Sequence, residues 1–142
     1  KAKIMSLARQ NGIVWRGRVG QLALAEELGR HSVLLYPGPH DFCETYGITF
    51  LEAQAAGCVP VTRYNGALPE TNRNGIILSN DSPEDAWVSA IQEADTRAEA
   101  DRIKMREWAK AQTWEAAANR IIAWAIAADK ADLPAAAETA AD

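Results

Sequence analysis

The chain has 142 residues, 48% of them hydrophobic and 24% charged, enough for one ordinary globular domain with its own core. A formal net charge of -4 gives no electrostatic case for a nucleic-acid partner. No apolar run approaches the roughly 20 residues of a membrane span. No signal peptide is visible, although the first residue is Lys1 rather than methionine, so a trimmed start or an excised piece is expected. Cys43 and Cys58 form neither a disulfide framework nor a CxxC pair, which suits a reducing, cytoplasmic setting.

In chain order, residues 1–12 suggest a short helix ending at the C-cap pair Asn11-Gly12. The run Ile13-Val14-Trp15 reads as a brief buried strand ending at Gly17. Apolar positions 19, 22, 24 and 28 suit a helix from Val19 to Leu28, closed by Gly29. Ser32–Tyr36 reads as a strand stopped by Pro37-Gly38-Pro39, and Ile48–Ala56 as a helix stopped at Gly57. Val59–Thr62 and Ile76–Leu78 read as two more strands, Pro60 being tolerable at the first position of its own. Ser82 and Pro83 mark a helix start, as N-cap and first helical residue, with that helix running to about Ala94. A further helix is expected over about 98–111, and a last one over about Trp114–Ala128, with Ala117, Ile121, Trp124 and Ala128 on one face. Residues 130–142, rich in alanine and acid, read as a frayed, disordered tail behind a domain of 1–129. Strands alternating with helices predict a Rossmann-like α/β fold, a parallel sheet of about four strands with helices on both faces. Ligands of such sheets bind beyond the carboxyl ends of the strands, which is where the loop 37–46 lies.

That loop leads into Glu44-Thr-Tyr-Gly-Ile-Thr-Phe-Leu-Glu52, where two carboxylates stand eight positions apart. Eight helical residues rise about 12 Å, too far for a glycosidase pair, which needs roughly 5–9.5 Å. Between the acids, near Tyr46 and Gly47, the helix begins, and its unpaired N–H groups and positive dipole end favour a phosphate. At Gly47 a side chain would obstruct that approach. Acid, phosphate seat, acid: the order fits a sugar, a diphosphate and a ribose.

These residues resemble the E-x7-E pattern of retaining GT-B glycosyltransferases, the group that contains mannosyl- and glucosyltransferases and sucrose synthases. Leu51-Glu-Ala-Gln-Ala-Ala-Gly-Cys-Val-Pro-Val61 is similar to the LEA-x-A-x-G-x-PV run of that group, and Asn65-Gly-Ala-Leu-Pro-Glu70 to its G-G-x-x-E loop. Val33-Leu-Leu-Tyr-Pro37 and Thr113-Trp-Glu115 resemble the strand before the first acid and the closing S-W segment. The likeness spans roughly residues 13–128. It implies the later part of a C-terminal donor-binding domain, without the acceptor domain and the first third of the donor domain.

The resemblance implies retaining transfer of a sugar from a UDP-, GDP- or ADP-sugar to an acceptor hydroxyl. Glu44 would be the catalytic-site acid holding the donor sugar, the N–H groups around Gly47, Ile48 and Thr49 would hold the distal phosphate, and Tyr46 would flank them. Glu52 would accept from the ribose, and the base would lie near Val19 to Gln21. The leaving phosphate would take the acceptor proton, so no cofactor and no protein nucleophile is implied. No H-E-x-x-H, CxxC pair or D-x-D pattern is present, and no metal is expected. An acceptor sugar or glycolipid would be met through the missing domain, and a full-length form would sit in the cytoplasm or at the periphery of the inner membrane. The fragment alone would be inactive and would self-associate through its open sheet edge and apolar last helix. The alternative is a non-catalytic nucleotide-sugar-binding module, or a remnant working with another chain. An NAD-type domain fits poorly, since no G-x-G-x-x-G follows a strand. His31 and His40 read as surface residues and the 81–101 stretch as a solvated face. Trp87, Trp108, Trp114 and Trp124 read as core or domain-packing residues.

Overall fold

The computed structural model describes the backbone of residues 2–38 and 43–132, and the side chains of 6–38 and 43–128. Its elements are α1 (Ala2–Gln10), α2 (Gln21–Arg30), β1 (Val33–Tyr36), α3 (Ile48–Ala56), β2 (Val59–Arg63), α4 (Leu68–Thr71), β3 (Ile76–Leu78), α5 (Glu84–Asp95), α6 (Glu99–Lys110) and α7 (Trp114–Asp132). The strands form a wholly parallel sheet in the order β1-β2-β3, with Val61 of the central strand opposite Leu35 on one side and Ile76 on the other.

Side chains alternate across the sheet and so feed two layers. Val33, Val59, Val61, Ile76 and Leu78 pack with Trp87, Ala90 and Ala94 of α5 and with Met105 of α6. On the other face Leu34 and Cys58 meet Leu24 and Leu28 of α2 and Ala53 and Ala56 of α3. Helices therefore cover both faces, the Rossmann-like α/β arrangement. α6 lies along α3, which is thereby flanked by α2 on one side and α6 on the other.

Three buried polar groups tie these layers. Arg102 is 8% exposed, and its guanidinium donates to the carbonyls of Ser32, Gly57, Ala94, Asp95 and Arg97 at 2.8–3.2 Å. It thus caps the ends of α3 and α5 and the approach to β1. Gln54 is fully buried and donates to the carbonyls of Phe50 and Thr71, while its own carbonyl accepts from Asn74 N–H, fastening α3 to α4 and to the turn before β3. Asn72 donates to Thr62 Oγ1 at 3.0 Å beneath the central strand.

Several sequence expectations need correction. The described residues hold three strands, not about four, because Ile13-Val14-Trp15 is irregular and exposed, Val14 to 73%. Its first N–H is already used: Ile13 donates to Ala8 and Gly12 to Arg9, a Schellman closure of α1 that leaves no ladder partner. α2 begins at Gln21 and runs through Gly29 to Arg30, since Gly29 does not adopt the left-handed backbone that would close the helix there. Pro83 is the N-cap of α5 and Ser82 precedes it, with no side-chain cap. Pro60 is the second residue of the central strand. The single turn α4 was not foreseen. α7 extends to Asp132, three residues into the stretch read as tail, and residues 133–142 lie outside the described part. Trp114 and Trp124 are 81% and 72% exposed and so are not core, whereas Trp87 packs on the first layer. His31 is exposed, 3.5 Å from Glu27, and His40 lies outside the described residues. Arg102, for which the sequence carried no expectation, is buried.

Candidate functional site

β1 delivers the chain to the carboxyl edge of the sheet, and α3 starts there after the loop that carries Glu44. Gly47 is the N-cap of α3, in the left-handed region at φ 78 and ψ 55, with no side-chain cap and no acid in the first turn. The positive end of α3 is therefore open to an anion. A Cβ on Gly47 would stand 2.6 Å from Phe50 and 3.1 Å from Leu68, so packing inside the fold already demands glycine, whatever approaches from outside. At its far end α3 closes in a Schellman motif, Cys58 N–H donating to Ala53 and Gly57 N–H to Gln54.

Glu44 is half-buried, and its carboxylate accepts from Tyr46 N–H at 3.4 Å. That bond turns the Tyr46 amide toward the acid, leaving the amides from Gly47 to Thr49 to form the open helix end. The loop after β2 holds Glu44 in turn, through Asn65 and Ala67. Glu52 is half-buried on the next turns of α3 and accepts from Gln21 Nε2 at 3.4 Å. Gln21, in the segment expected near the base, and Glu52, expected at the ribose, are thus neighbours.

Ile48, Leu51, Glu52 and Ala55 share one face of α3, at the i, i+3, i+4, i+7 spacing. With Tyr46 they form one wall of a cleft of about 220 Å³, whose other wall is the α6–α7 corner, including Gln112 and Trp114. The corner is set by Thr113, whose Oγ1 accepts Ala116 N–H at 3.1 Å and so caps α7. The walls are mostly apolar, with Glu52 as their carboxylate. Ile48 and Tyr46 are half-exposed at this cleft, while Thr49 and Val19 face solvent. Among the described residues neither Thr49 nor Val19 is hydrogen-bonded to Glu44 or Glu52.

Residues 1–95 match the model of the family described as glycosyl transferases group 1. The chain belongs to that family. The matched part takes in β1 to α5, hence Glu44, the start of α3, Glu52 and the loop 65–70, and it ends before the α6–α7 corner that closes the cleft. The segment Thr113-Trp114-Glu115 lies outside the match. No curated protein matches the chain. As a group 1 glycosyl transferase domain it is a transferase by family, and the start of α3 lies at the carboxyl edge of its parallel sheet. Among the described residues no His, Cys, Asp and Glu group is arranged to hold a metal ion, and no helix is long and apolar enough to cross a membrane.

The sequence pointed to Glu44, Gly47 and Glu52 but not to Asn65, Gln112 or Trp114. Asn65 and Trp114 both stand in segments with family-like wording, so the signal was at hand; which residues those loops would meet is tertiary information.

Cys58 lies under α3, fully buried, and loss of solvent pushes its thiol up to about 11 despite the nearby Arg102 guanidinium. Glu27 is held below its ordinary value, chiefly by its hydrogen bond with Arg16.

Proposed function

We propose that this group 1 glycosyl transferase domain binds a nucleoside-diphosphate sugar across the start of α3, as the donor half of a retaining GT-B enzyme. The observation that carries the reading is the open helix end between Glu44 and Glu52, at the carboxyl edge of a parallel sheet. Glu44 accepts from hydroxyls of the donor sugar. The amides of Gly47, Ile48 and Thr49 hold the distal phosphate and steady the charge that develops as it leaves. Glu52 accepts from the ribose hydroxyls, and Gln21, already within 3.4 Å, orients its carboxylate beside a base near Val19. The departing phosphate takes the acceptor proton. The acceptor, a sugar or glycolipid, is met by a second domain.

Calorimetric titration with UDP-, GDP- and ADP-sugars and the bare nucleotides tests the assignment, on this chain and on any longer native form. Glu52→Ala is expected to weaken both ligand classes, and Glu44→Ala to weaken the nucleotide-sugar far more than the bare nucleotide. Each loss of a charged hydrogen-bond partner should cost about 1.5–3 kcal/mol. Equal losses for both ligands in both variants would overturn the division of roles. Addition of EDTA should leave wild-type binding unchanged.

A further inference from the structure

The loop after β2 grips Glu44 on both of its peptide groups. Asn65 Oδ1 accepts Glu44 N–H at 2.8 Å, and the Glu44 carbonyl accepts Ala67 N–H at 2.9 Å. Gly66, between the two gripping residues, has φ +48, and a Cβ there would stand 2.1 Å from the Glu44 carbonyl oxygen. The two loops therefore touch backbone to backbone, with no room for a side chain at Gly66. Glu44 itself belongs to no helix or strand, since α3 starts only at Ile48. Fixing both peptide groups around one Cα fixes the direction of its Cα–Cβ bond, and with it the arc the carboxylate can sweep.

We infer that Asn65 is a positioning residue for the donor sugar: its side-chain oxygen sets the Glu44 backbone, so that the Glu44 carboxylate meets the sugar rather than solvent. The inference rests on the assignment of Glu44 to the donor sugar made above. It gives the loop a part in ligand discrimination without any contact between Asn65 and the ligand.

The clamp and its role are tested separately. In the wild-type chain, hydrogen exchange followed by NMR should show the Glu44 amide about fivefold or more slower than its exposed neighbour Thr45. Asn65→Ala should abolish that difference while the Cys58 and Leu68 amides keep their wild-type rates, and Asn65→Asp, which retains an acceptor oxygen, should restore it. Titration of the same proteins with UDP-glucose, GDP-mannose and ADP-glucose, each beside its bare nucleotide, reads the consequence. For the sugar ligand that binds, Asn65→Ala is expected to lose about fivefold or more in affinity, with the bare nucleotide within about twofold of wild type. An unprotected Glu44 amide in the wild type, or one unchanged in Asn65→Ala, overturns the clamp. Intact loss of protection with equal weakening of sugar ligand and bare nucleotide overturns the positioning role. Protection as expected with no wild-type binding of any sugar ligand or nucleotide removes the donor assignment, and the positioning role with it.

Discussion

At Gly47 two demands coincide, a left-handed backbone and the absence of a Cβ where Phe50 and Leu68 stand close. Gly47→Ala should therefore destabilise the fold by about 1–3 kcal/mol, read as a lower urea midpoint by circular dichroism. Cys58 makes a second test at this scale. Its raised thiol favours the native state fully below the ordinary value of 9.0, and that contribution is lost as pH rises toward about 11. Urea midpoints should fall between pH 8 and 10.5 more steeply for wild type than for Cys58→Ala. At neutral pH a maleimide should label exposed Cys43 and leave Cys58 untouched until the chain unfolds; rapid native labelling of Cys58 would contradict its burial. Glu44, Gly47 and Glu52 were legible because a helix start and two acids leave a one-dimensional pattern. Asn65 was not, because its partner is 21 positions away in sequence and only the sheet brings them together.

Among elements, α3 and β3 were readable to the residue, each closed by glycine or preceded by a turn. The run Ile13-Val14-Trp15 misled because an apolar triplet is a strand only where a neighbour offers a ladder, and α1 had already engaged its first amide. Arg102 was not singled out in the sequence at all. Charge along a helix usually marks a solvated face, yet its five N–H groups all donate to backbone carbonyls, of Ser32, Gly57, Ala94, Asp95 and Arg97. Arg102→Met keeps much of the side-chain volume but removes all five of those hydrogen bonds. It should lower stability by about 3 kcal/mol, with the loss seen as early exchange at the ends of α3 and α5 together. Separate melting of one helix end alone would show that Arg102 does not join them.

For the molecule as a whole, apolar surface is concentrated where packing runs out. Ile121, Ile122, Trp124 and Ile126 of α7 are all more than half exposed, as are Ile13, Val14 and Trp15, and among the described residues β1 has no strand on its outer edge. Burial of such surface returns roughly 25 cal/mol per Å², so concentration-dependent self-association is expected in sedimentation velocity, and Ile122→Glu together with Trp124→Glu should reduce it. A wild-type chain that stays monomeric across a hundredfold range of concentration, on the order of micromolar to a tenth millimolar, would contradict this. The same uneven packing decides which light the molecule gives off. Of its five tryptophans, Trp15, Trp114 and Trp124 are bathed in solvent, and Trp87 and Trp108 are only half-covered. Indole emission from the native state should accordingly be red-shifted, and denaturant should move it little: by fluorescence, the folded chain will look much like an unfolded one.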